Sequence, residues 1–151
     1  MKKGILAVSF GTSHIDTMEK TIDVLEKEFA KTFEEAVVYR AFTSNMIIKK
    51  LKRTANIKVQ TVGEALEKMA ADGIEEVIVQ PTHVINGIEN DRMLQEVMEH
   101  MHLFRKVYVG KPLLSSVEDY KKAIHAVMEK TVIGEDEMLV LMGHGTDHHA
   151  N

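Results

Sequence analysis

Hydrophobic positions along this chain follow two alternating patterns. Short apolar runs fall at residues 4–9, 37–39, 77–79, 107–109 and 138–142, and each reads as a buried strand. Between them, apolar residues recur every three or four positions with charged residues opposite, as in amphipathic helices. Ile15, Met18, Ile22, Leu25 and Phe29 form the first stripe, with Ser13 as the expected N-cap and Asp16 three residues on. Ile47, Ile48 and Leu51 form the second, opened by Thr43-Ser44, with Lys49, Lys50, Lys52 and Arg53 on the solvated side. Thr61 and Glu64 make a capping box for a helix striped by Val62, Ala65, Leu66, Met69 and Ala70, which Gly73 stops. Leu94, Val97, Met98 and Met101 are the expected inward face of the next helix. Ser116, with Asp119 three residues on, opens the last, striped by Tyr120, Ala123, Ile124, Val127 and Met128.

Alternating strands and helices imply an α/β fold, a parallel sheet with helices on both faces. Right-handed crossovers leave few topologies, and the flavodoxin-like order 2-1-3-4 is the one expected. Its switch point lies between the first and third strands, where ligands bind past the carboxyl ends. The loops meeting there are Phe10–His14 and the long segment from Pro81 to Asn90. A repeat modifies this picture. Ile5–His14 aligns without gaps on Leu139–His148, sharing an apolar strand followed by Gly-Thr-x-His. The expected division is therefore an α/β domain over 1–136 and, over 137–151, the first strand and loop of a second, similar domain.

Composition narrows the function. A chain of 151 residues, 44% hydrophobic and 28% charged, fits one soluble globular domain. A net charge of −4 argues against a general nucleic-acid partner. No apolar run reaches membrane-spanning length, so no membrane partner is expected. The apolar run after Met1-Lys2-Lys3 is too short for a signal peptide. With no cysteine, thiolate metal sites and cysteine nucleophiles are excluded, and a cytoplasmic location is the default. The ten methionines recur at helical spacing and read as core filler.

The candidate chemistry sits in Gly143-His144-Gly145-Thr146-Asp147-His148-His149. Imidazole is the commonest metal ligand and a base near neutral pH. The glycines beside His144 leave its ring uncrowded. The plainer alternative is a polar tail that happens to contain histidine. His83 follows the third strand, either as a structural histidine or as a cleft ligand. The Thr12-Ser13 turn is either an ordinary helix cap or a carboxylate site at a helix N-terminus.

Several segments together resemble one family: Val8-Ser9-Phe10-Gly11-Thr12-Ser13; Arg40–Leu51; His83-Val84-Ile85-Asn86-Gly87; Pro112–Ser116; and Met142–Ala150. They are similar to the anaerobic cobalt chelatases of cobalamin biosynthesis, class II chelatases related to ferrochelatase. The resemblance implies two similar α/β domains with the active site in the cleft between them. It implies insertion of Co²⁺, as substrate, into sirohydrochlorin or a related tetrapyrrole, with no nucleotide and no flavin. The family's catalytic histidine falls on His144, a metal-site residue proposed to take part in pyrrole proton removal. Candidate metal ligands are His144 and His148. Candidate tetrapyrrole contacts are Phe10, Gly11, Thr12, Ser13, His83, Asn86 and Gly87. The family's remaining site glutamate and histidine belong to the second domain, so the partners expected are that C-terminal domain or a homo-oligomer. Two other readings stay open: a flavodoxin-like ligand-binding module, and a non-catalytic dimerising half.

Overall fold

Four of the five expected strands form one parallel sheet in the computed structural model, which describes residues 1–148; His149 lies outside them. The chain runs β1 (Lys3–Ser9), α1 (Ile15–Lys20), α2 (Ile22–Thr32), β2 (Ala36–Phe42), α3 (Asn45–Ala55), α4 (Val62–Ala71), β3 (Glu76–Pro81), α5 (Ile88–His100), a 3₁₀ turn (Met101–Leu103), β4 (Lys106–Val109) and α6 (Val117–Lys130). The strand order is β2-β1-β3-β4, the flavodoxin-like order expected. Leu6 of β1 lies between Tyr39 of β2 and Val79 of β3.

Two apolar clusters cover the two faces of the sheet. Leu6, Val8, Val77 and Val79 pack with Val62, Ala65, Leu66 and Met69 of α4 and with Met93 and Val97 of α5. On the other face, Phe42 packs with Met18, Ile22, Leu51 and Val59. Burial on both faces explains why β1 is an unbroken apolar run rather than an alternating one. The caps form as their residue types dictate. Ser44 accepts from the Ile47 N–H, Thr61 and Glu64 close a reciprocal capping box, and Ser116 accepts from the Asp119 N–H. Gly73 follows α4 with φ +79°, a conformation glycine enters at little cost.

The structure departs from the sequence pattern in four places. The first helix starts at His14 rather than Ser13, and no side chain caps it. Thr12 instead accepts the His14 N–H, closing a local turn before the helix. That helix is also broken at Thr21, whose hydroxyl donates to the Thr17 carbonyl, so only Met18 and Ile22 of the stripe are buried. In α5, Met93 and Val97 point inward while Met98 and Met101 are exposed. The buried stripe there runs Asn90-Met93-Val97, a phase set by polar Asn90 that apolar periodicity does not reveal. The stripe of α6 buries nothing.

The fourth departure is the expected fifth strand. Residues 138–142 form no strand and are 36–95% exposed. An unbroken apolar run becomes a buried strand only where a ladder partner and cover on both faces are available. Here α6, the helix that would carry the chain back over the sheet, packs on nothing that buries its stripe, and the run stays in solvent.

Candidate active site

The cleft lies where the topology places it, beyond the carboxyl ends of β1 and β3. It encloses about 1130 Å³. Ser9, Phe10 and Gly11 form one wall, and Thr82, His83, Val84, Ile85 and Gly87 the other. Glu89, Asn90 and Arg92 close it from the first turn of α5, and His144, Gly145, Thr146 and Asp147 cross its mouth. The two strand ends are locked together: the Ser9 and Thr82 hydroxyls are 2.7 Å apart, and the Thr82 N–H donates to the Val8 carbonyl at 2.8 Å. Gly11 must be glycine. Its φ is +101°, and a Cβ there would stand 2.4 Å from Cδ2 of Phe42.

The cleft floor concentrates buried polar atoms. Oε2 of Glu89 and both ring nitrogens of His83 are buried short of a hydrogen bond of regular geometry, and the Asn90 side chain is the polar group set to hydrogen-bond the His83 ring. Asn90, only 4% exposed, gives its amide N–H to Oδ1 of Asn86 at 2.7 Å. Glu89 Oε1 takes Arg92 at 2.8 Å. Burial holds the His83 pKa below the usual imidazole range, against the opposing pull of Glu89 and Asn90. His83 is therefore a neutral imidazole at neutral pH, able to accept a proton or a metal.

His144 is exposed at the mouth, its Nδ1 3.1 Å from the Gly145 carbonyl oxygen. Gly145 makes the turn with φ +80°. His148 does not line the cleft; its Nε2 lies 2.8 Å from Oδ2 of Asp91. Among the described residues, no group of three or more histidine and acidic side chains is arranged to hold a metal ion.

Of the sequence candidates, Phe10, Gly11, His83, Gly87 and His144 meet at this cleft. Thr12 and Ser13 sit in the turn behind it, and Asn86 supports Asn90 rather than lining the wall. Helix α1 is six residues long, and no side chain caps its first turn. His14, His102 and His125 are exposed. His100 is half-buried, its Nδ1 2.7 Å from the Glu96 carbonyl oxygen and its ring against Gly63 of α4.

Comparison with known proteins identifies the family. The cobalt chelatase (CbiK) family pattern matches residues 3–151. This chain belongs to that family. It is 42% identical over 151 residues to the sirohydrochlorin cobaltochelatase of Salmonella typhimurium, covering 99% of this chain and 57% of that protein. It is 33% identical to sirohydrochlorin cobaltochelatase CbiKC of Nitratidesulfovibrio vulgaris, covering 99% of this chain and 54% of the relative. The chain thus spans a little over half the length of these chelatases. A crystal structure of a cobalamin (vitamin B12) biosynthesis CbiX protein from Marinobacter aquaeolei VT8 shares the fold. Its TM-score is 0.55 at 15% identity, over 85% of this chain and 95% of that one.

Of the residues lining this cleft, Ser9, Thr82, Glu89, Asn90 and Arg92 escaped the sequence reading. Glu89 and Arg92 carry a faint signal: an acid and a base at i, i+3 in the turn immediately after a long Gly-containing loop. Ser9 and Thr82 carry none, because their pairing depends on β1 and β3 being neighbours.

Proposed function

We propose that this chain forms the N-terminal part of a sirohydrochlorin cobaltochelatase, which inserts Co²⁺ into the tetrapyrrole during cobalamin biosynthesis without a nucleotide. The observation that carries the reading is His144, placed across the mouth of a roomy cleft that has neutral His83 in its floor. Insertion exchanges two pyrrole protons for one divalent cation. It therefore needs a ligand that gives up the metal and a base that takes the two pyrrole protons in turn and passes them to water, and imidazole serves both. His144 is assigned both roles, with His148 as the second imidazole of the same loop. Phe10 and Gly11 form an apolar edge for the macrocycle, and Arg92 supplies a cation for its carboxylates.

In this reading residues 1–136 are one α/β domain and 137–151 open a second, similar one. The exposed stripe of α6, the exposed run 138–142 and the greater length of the relatives support it. The same exposed surfaces favour one other reading, a half that pairs with a second copy. Among the described residues, no helix is long and apolar enough to cross a membrane.

Co²⁺ titration of the wild type and His144→Ala tests the assignment. His144→Ala is expected to lose most of the affinity, and equal affinities would refute it. A cobalt-insertion assay followed by the visible spectrum of the pigment tests whether a second domain is needed. We expect slow or absent turnover by this chain as a monomer. Robust insertion by a demonstrated monomer would contradict the two-domain reading, whereas insertion by a dimer would favour the paired one.

A further inference from the structure

Residues 132–147 leave the body of the domain after α6 and return over the cleft. Their hydrogen bonds among the described residues are local: Gly134 with Glu137, His144 with Gly145, and Thr146 with His148. Among the described residues, a polar contact ties the segment back at its far end, where His148 Nε2 meets Oδ2 of Asp91 at 2.8 Å. Asp91 stands in the first turn of α5, between Asn90 and Arg92, two of the residues that close the cleft. The His148 side chain is only 7% exposed, although the run 138–142 leading to it lies in solvent. Thr146 Oγ1 accepts the His148 N–H at 3.1 Å, so the turn between His144 and His148 is itself closed.

The geometry points to Asp91 as a positioning residue. Through His148 it fastens the loop 144–147 across the mouth of the cleft, and so sets where the His144 imidazole stands. A loop held at one end samples many positions, and a second attachment removes that freedom before the metal arrives. The attachment suits the task, because a carboxylate is a strong acceptor for an imidazole N–H and selects one ring tautomer. This rests on the reading of His144 as a Co²⁺ ligand.

The test uses the full chain with Co²⁺ alone as probe. Affinity and the visible ligand-field bands of bound Co²⁺ are measured for wild type, His144→Ala, Asp91→Ala and Asp91→Asn. His144→Ala is expected to lose the bands. Asp91→Ala is expected to bind about 10-fold more weakly, the low end of the loss seen when an outer-shell partner of a metal site is removed, because Asp91 acts on His144 only through the loop. Asp91→Asn keeps an acceptor oxygen in place and is expected to recover to within about threefold of wild type. Melting temperatures should match, because the Asp91 carboxylate is largely exposed and lies outside both apolar clusters. Wild-type affinity in Asp91→Ala, with binding lost in His144→Ala, overturns the positioning role and leaves the His144 reading standing. Asp91→Asn as weak as Asp91→Ala also overturns it, moving the effect to the charge. Unchanged binding in both His144→Ala and Asp91→Ala overturns the two together.

Discussion

Replacing His83 with leucine is expected to make this protein more stable and less useful. A neutral imidazole carries one N–H donor and one acceptor; in His83 both ring nitrogens are buried, and with Asn90 as the side chain set to hydrogen-bond the ring, one nitrogen is left unmet. An unmet buried polar group costs about 1–3 kcal/mol. An apolar side chain of similar size removes that penalty and keeps the packing against the cleft floor. His83→Leu also takes the ring away from buried Asn90, so the gain should lie at the low end, about 1 kcal/mol, which at roughly 2–4 °C per kcal/mol for a chain of this size raises the melting midpoint by roughly 2–4 °C. The pH dependence supplies a second, independent readout. Burial lowers the His83 pKa in the folded state from the ordinary 6.5. Below that value the unfolded chain binds more protons than the folded one, so stability falls as pH drops. The His83 contribution is thus full above 6.5 and lost progressively beneath it, and His83→Leu should remove that part of the slope. Urea unfolding of both proteins on either side of this pH measures both effects. If the leucine variant unfolds earlier than wild type above pH 6.5, the ring nitrogens are satisfied in solution, and the argument from unmet valence fails. The gain at a functional site would be a stability–activity trade.

Three further outcomes follow from the packing. Arg40→Ala removes the guanidinium shared by Asp23 and Glu26 and strands two mostly buried carboxylates on α2. Chemical denaturation should show a loss of about 2–4 kcal/mol, a little under the range for fully buried pairs. Adding Asp23→Asn and Glu26→Gln in that background should restore part of it, and no recovery would refute the stranded-charge account. Thr61→Ala opens the capping box of α4, the helix that supplies four residues to the main core, and should cost about 1 kcal/mol in the same measurement. A chain shortened to end at Gly134 should melt within a degree or two of the full one, since it loses little buried surface. In ultracentrifugation it should self-associate less, because the run 138–142 is gone. A large drop in melting temperature would instead make that run an integral part of the first sheet.

Local pattern alone determined the elements, their order and their main caps. Thr61 and Glu64, Ser44, Ser116 and Gly73 act within one helical turn of their own positions, so neighbouring residues suffice to specify them. The strand order was legible for a related reason: alternating elements joined by right-handed crossovers leave few sheets, and the switch point then locates the cleft. The resemblance segments marked His144, His83 and Gly87 for the same cleft. Tertiary structure alone decided which apolar residues were covered. Met98, the stripe of α6 and the run 138–142 are as hydrophobic as Met93 and Val97, yet only the last two meet the sheet. Burial is a property of what lies opposite, and a one-dimensional pattern does not carry it. The finer chemistry of the site was hidden likewise. The Ser9–Thr82 link and the Asp91–His148 contact each join positions far apart in the chain, and the burial of the His83 ring nitrogens depends on what packs over them, so only the folded sheet decides them.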